Sequence, residues 1–184
     1  MNFNPHYELQ DRHAFLGPSK YSWLNYDEEH LVQAYNRYFA KEYGTRLHQF
    51  AKDAIELRQK LPANGQTVNQ YVNDAIKYRM KPEQPLFYSY NCFGTADSIS
   101  FRRNILRIHD LKTGTTPVHM EQLMVYAALF CLEYSVNPKD ISIILRIYQN
   151  NEIQEARPEA PEIKDICDKI IKFDKILNRI RLEE

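Results

Sequence analysis

Asp97, Asp110 and Lys112 stand in a stretch whose alternation of apolar and polar residues suits a β-hairpin. Arg102-Arg103-Asn104 forms a polar break that reads as a tight turn centred on Arg103 and Asn104. Residues whose numbers share one sum then face each other across the antiparallel ladder. Phe101 meets Leu106 and Ile99 meets Ile108, apolar against apolar, and the same register sets Asp97 opposite Asp110 and Thr95 opposite Lys112. Side chains alternate, so these eight share one face, while Ser98, Ser100, Arg107 and His109 take the other. Directly opposed Cβ atoms lie about 5 Å apart. Two carboxylates so close in a half-buried site must share a proton, pair with a cation or bind a metal. Lys112 balances one of the two charges. A divalent ion completes the balance, and oxygen ligands favour Mg²⁺ or Mn²⁺. The plainer reading of the same three residues is a partly solvated ion-pair cluster at the strand ends.

The elements that must position this hairpin follow from the neighbouring composition. Residues 27–61 are rich in Glu, Ala, Leu, Lys and Gln and end at Pro62-Ala63-Asn64-Gly65, which predicts one helix or a pair. A second helix is expected over 67–80, before Pro82, and two or three adjacent strands over 86–111, where aromatic and β-branched residues crowd. Thr116-Pro117 has the order of an N-cap followed by a first-turn proline, and Leu123, Ala127, Phe130 and Tyr134 give the helix after it an apolar face. Residues 141–148 read as a buried strand, pairing across Asn150-Asn151 with 153–156. Ile163, Ile166, Ile170, Phe173, Leu177 and Ile180 recur at spacings of three and four, the mark of an amphipathic helix. The expectation is an α/β domain with a central mixed sheet flanked by helices.

The chain has 184 residues, enough for one domain with a real core. It reads as a single unit over 1–184, with a helical part at 1–82, the sheet and its helix at 83–160, and a last helix at 161–184. Lys plus Arg equals Asp plus Glu at 24 each, so no bulk basic field draws the protein to nucleic acid; only local patches remain. Cys92, Cys131 and Cys167 are odd in number and far apart, with no C-x-x-C, against a disulfide framework, a zinc site or an iron–sulfur cluster. The first fifteen residues lack the apolar core of a secretion signal, and the longest nearly apolar run, 124–132, is well short of the ~20 residues of a membrane span. No membrane contact and a cytoplasmic location are expected.

Asp97, twelve intervening residues and Asp110-Leu111-Lys112 together resemble the D-x(n)-(D/E)-x-K signature of the PD-(D/E)xK nucleases. Three further segments are similar to the RecB-like branch, which includes lambda-type exonucleases and CRISPR-associated nucleases. Asp110-Leu111-Lys112-Thr113-Gly114 resembles D-x-K-T-G, Gln122-Leu123-Met124-Val125-Tyr126 resembles Q-h-x-x-Y, and Gly44-Thr45-Arg46-Leu47-His48 resembles G-x-x-x-H. Pro18-Ser19 adds a weaker likeness to an N-terminal serine motif. Together these cover roughly residues 44–126. Ala96 stands where many members have Pro, the second acid is Asp instead of Glu, and the four cluster-binding cysteines of some relatives are absent.

The resemblance implies a restriction-endonuclease-like core and a metal-dependent DNA nuclease, an exonuclease by its branch. His48, Asp97, Asp110 and the Leu111 carbonyl would hold Mg²⁺ or Mn²⁺, with Lys112 positioning the attacking water. Gln122 and Tyr126, i and i+4 on one helix face, would orient that lysine or touch the DNA backbone. DNA, single- or double-stranded, is the expected partner, with a recombination or repair protein beside it; a phage or mobile-element recombination, repair or defence enzyme suits the pattern. The alternative is a non-catalytic module of the same fold that binds nucleic acid or a protein. Gly44 marks either a close approach or a break between two helices. Arg102, Arg103 and Arg107 are candidates for phosphate contact, with a solvated turn as the default reading, and His6, His13, His30, His109 and His119 read as surface residues. There is no S-x-x-K to accompany Lys112-Thr113-Gly114, no G-x-x-x-x-G-K-[ST], no G-x-G-x-x-G and no H-E-x-x-H, which excludes a penicillin-binding enzyme, a P-loop, a Rossmann site and a zincin at the level of motifs.

Overall fold

The computed structural model describes residues 7, 14–114 and 117–183. The backbone gathers into two compact units, Met1–Thr45 and Arg46–Glu184. In the first, a 3₁₀ helix at Pro18–Asn25 has no buried residue and is tied back by the Trp23 indole N–H donating to the Gly17 carbonyl at 3.2 Å. Helix α1, Glu28–Glu56, opens under an Asp27 cap: the His30 amide donates to Asp27 Oδ1 at 2.8 Å, which holds that carboxyl below its usual range. The helix continues through Gly44, which is buried, so the chain does not break there.

The second unit is an α/β layer structure around a five-stranded mixed sheet. Its strands are β1 (Lys81–Ser89), β2 (Cys92–Arg102), β3 (Ile105–Leu111), β4 (Ser142–Gln149) and β5 (Glu152–Ala156), in the order β1-β2-β3-β4-β5. Neighbours are antiparallel except β3 and β4, and that parallel pair needs the crossover through helix α3, Glu121–Glu133. Two tight turns set the registers. Arg103 and Asn104 at φ 51° and 58°, and Asn150 and Asn151 at φ 51° and 62°, are left-handed pairs whose twist matches the flanking strands. The expected pairs Phe101 with Leu106 and Ile99 with Ile108 are present.

Both faces of the sheet are covered, so β3 and β4 bury most of their residues. On one face α3 and α4 (Ala160–Glu183) enclose Leu86, Ile99, Leu106, Ile108, Leu123, Leu145 and Ile163. On the other, Ala51, Ala54 and Ile55 of α1 and Tyr71, Val72 and Ala75 of helix α2 (Thr67–Lys77) close over Leu111 and Tyr148. These sets recur at i, i+3 and i+4, one stripe per helix.

Three details differ from expectation. Helix α3 starts at Glu121 under Met120, with Pro117 outside it, because the first-turn amides of Leu123 and Met124 already find the Met120 carbonyl; Thr116 lies outside the described residues. Leu123, Ala127 and Phe130 are buried as expected, but Tyr134 caps the helix and is 52% exposed. In α4 only the first half is covered: Ile163 is buried and Ile166 and Ile170 pack on the core, whereas Phe173, Leu177 and Ile180 are exposed. Among the described residues no helix is long and apolar enough to cross a membrane.

Candidate metal centre

The geometry of the site begins where two strands separate. Strand β2 pairs with β1 from Cys92 to Ile99, but with β3 only from Ser98 to Arg102. The ladder therefore stops one step short of the expected pair Asp97 and Asp110, and Thr95 does not meet Lys112. The Lys112 amide instead donates to the Tyr148 carbonyl of β4 at 2.9 Å. In place of a ladder bond, the Leu111 amide donates to Asp97 Oδ2 at 2.9 Å. The acids sit on either side of this opening, Asp97 on β2 and Asp110 at the end of β3.

Asp97 has a different set of partners from the one its register suggests. Ligand atoms of His48, Glu83 and Asp97 all lie within 4.8 Å of one another. His48, on α1, brings Nδ1 to 3.6 Å from Asp97 Oδ2. Glu83, on β1, occupies the place opposite Asp97, since flanking pairs Pro82 with Ser98 and Gln84 with Ala96 bracket it. Its φ of 47° breaks the extended run of β1 at that point. Each of the three is half-buried, which leaves the group open to solvent on one side. Burial, and after it the charge of Asp110, pushes the Asp97 carboxyl up to about 6, against the lowering effect of the Leu111 amide and His48. Burial, and next Asp97, also raises the Tyr71 phenol on α2.

Asp110 is 3% exposed and reaches a second group of residues. Lys112 Nζ stands 3.1 Å from each of its oxygens, but hydrogen-bonds only to Oδ1; Oδ2 is buried without a hydrogen bond among the described residues. The same ammonium donates to Gln122 Oε1 at 3.1 Å, so the first turn of α3 fixes where the lysine points. Tyr126, one turn on, packs against the core and stands over Gly94 of β2: a Cβ there would come within 3.0 Å of Tyr126 Cε1. Lys112 thus bridges Asp110 and Gln122. A His-Glu-Asp group within ligating span, with the buried Asp110 carboxylate paired to Lys112 nearby in the chain, is a donor set suited to a hard divalent ion.

His48, Asp97, Leu111, Asp110, Lys112 and Gln122 are therefore linked by direct contacts, and Tyr126 lies on the same helix beside them. Glu83 was missed because the expected strands begin only at 86, after Pro82 and Pro85. A signal existed: pairing Phe87 with Phe93 extends to a register that sets 83 opposite 97.

His109 is not a surface residue: it is fully buried between β-strands and α2. Tyr148 spends its one hydroxyl proton on Asp74 Oδ2 at 2.7 Å, so His109 Nδ1, 3.2 Å from that hydroxyl, is the donor in their bond. Nε2 is left buried and unpartnered among the described residues. Burial, then Arg146 and Arg107, depress this imidazole to about 3. His30 and His119 are exposed as expected, while His6 and His13 lie outside the described residues. Comparison of the chain with family models, with curated proteins and with solved structures returned no match.

Proposed function

We propose that this protein is a divalent-metal-dependent nuclease that hydrolyses phosphodiester bonds of DNA. The observation that carries the reading is the His48, Glu83 and Asp97 group within 4.8 Å, set beside an Asp110 whose lysine is held in place by Gln122. Asp97, Asp110, His48 and the Leu111 carbonyl are the ligands the resemblance names, and the geometry adds Glu83. A Mg²⁺ or Mn²⁺ ion bound there supplies Lewis-acid polarisation of a phosphate oxygen and acidifies water. Lys112 positions that water and offsets charge developing on the phosphate. Gln122 and Asp110 hold the lysine on the side of the site it needs. Tyr126 and the exposed rim of the site face the backbone of the DNA, whose phosphates supply most of the affinity. An exonuclease in recombination, repair or defence, working beside a partner protein, suits a chain with no net charge.

End-labelled linear and covalently closed circular DNAs, incubated with Mg²⁺, Mn²⁺ or chelator, test this. Loss of label from linear DNA only with metal present, with circles intact, is the expected result. Cleavage indifferent to chelator, or none with either metal, overturns the assignment.

A further inference from the structure

The β2–β3 turn lies at the opposite end of those strands from the metal centre, and it closes over the C-terminus of α2. Between them is an open cavity of about 480 Å³ lined by Lys77, Arg79, Arg102, Arg103 and Arg107 around the ring of Tyr78. Five cations gathered there repel one another, screened by water at the four exposed ones, and an anion among them relieves that repulsion further. Carboxylates do not do so: none stands within 4.0 Å of these five among the described residues. Arg146, the neighbouring arginine, is by contrast tied to both Asp74 and Glu155 at 2.8 Å. Tyr78 organises the group, with Arg107 at 4.6 Å and Lys77 at 5.2 Å from its ring centroid. A cation at a helix C-terminus or in a turn is ordinary; a set of five, unpaired and converging on a cavity, is not explained by either.

We propose that this cavity is a second, metal-independent site that holds phosphate groups of the DNA strand whose scissile phosphate lies at the metal centre. Guanidinium forks match phosphate oxygens and carry no preference for bases. The position fits a passing strand. Tyr78 of the cavity packs against the cluster that α1 and α2 close over the sheet, and His48 comes from α1. From Ile105 to Asp110 along β3 the separation is about 17 Å at ~3.3 Å per residue, or about five base steps at ~3.4 Å. The inference rests on the nuclease reading for the identity of that strand.

Arg79 and Arg103 have φ of 52° and 51°, a region glycine enters freely, so the pair Arg79→Gly and Arg103→Gly removes two charges without straining the backbone. Fluorescence anisotropy with labelled duplexes of about 20 and about 6 base pairs, in chelator over a range of salt, reads the site. For the long duplex the double variant should lose affinity several-fold, and its log–log salt slope should fall by about 2, close to 0.9 for each phosphate no longer neutralised. The short duplex should lose affinity in the double variant as well, because the cavity holds phosphates without metal. Arg79→Lys with Arg103→Lys should keep the wild-type slope. An unchanged slope on the long duplex, or no binding by wild type, overturns the proposal. Wild-type cleavage with Mn²⁺ separates the two readings: cleavage with an unchanged slope sinks the cavity alone, and a reduced slope without cleavage sinks the nuclease alone.

Discussion

The Leu111 amide hydrogen-bonds the carboxylate of Asp97 at 2.9 Å across the point where β2 leaves β3. That bond is what turns a hairpin into a cleft: a backbone donor that would have served the ladder holds an acidic side chain at the mouth of the opening. It also explains why Asp97 keeps a carboxylate at all in a place where burial and Asp110 oppose its charge.

Replacing Asp97 by Asn should stabilise the metal-free protein while abolishing metal binding. The folded-state value of about 6 exceeds the ordinary 3.8, so the folded protein holds this proton more tightly than the unfolded chain does. The contribution to stability is therefore most favourable below 3.8 and declines as pH rises through 6. Melting at pH 7.5 in chelator should rise in Asp97→Asn, and added Mn²⁺ should shift only the wild type. Calorimetric Mn²⁺ affinity should also fall below pH 6, where protons compete for the carboxylate.

Removal of the Lys112 ammonium separates a catalytic from a structural role. Lys112→Met should lower metal-dependent cleavage by about 10²–10³-fold, the usual effect of removing one group that stabilises developing charge. It leaves buried Asp110 without its cation, and because Lys112 is partly exposed the cost in stability should be about 1–2 kcal/mol. Gln122→Leu should weaken kcat with little change in Mn²⁺ affinity, since among the described residues the Gln122 side chain hydrogen-bonds the lysine and none of the candidate ligands. Loss of metal binding in the Gln122 variant together with full activity in the Lys112 variant contradicts these roles.

Acid should unfold the protein partly through His109. Its folded value of about 3 lies below the ordinary 6.5, so its stabilising contribution is complete above 6.5 and is lost as pH falls toward 3. The slope of unfolding free energy against pH from this group reaches at most about 1.4 kcal/mol per pH unit. Urea titrations between pH 6.5 and 4 should show that slope reduced in His109→Gln, which keeps a donor for Tyr148.

Tyr126 and Gly94 should be energetically coupled. A methyl group on Gly94 meets the Tyr126 ring at 3.0 Å, so Gly94→Ala should cost about 1 kcal/mol in the wild type and clearly less in Tyr126→Ala. Additive effects in the double-mutant cycle would mean that the ring swings away freely.

From residues alone, the α/β class, a run of two or three strands before α3, the two asparagine- and arginine-centred turns and the pairs flanking Ile99 were determined, because each depends on local alternation and turn chemistry that any short segment carries with it. The same local logic also set Asp97 against Asp110, and there it failed, since it extends a ladder past the residue where β2 departs. Only the tertiary structure decided that departure, because it is imposed by β1 pulling on β2 and by β4 taking the Lys112 amide. The same holds for Glu83, whose ligating position depends on a left-handed backbone in β1, and for His109, whose burial depends on α2 lying over β3. Alternation says which face a side chain takes; what covers that face, and where a strand changes partner, is settled by elements distant in the chain.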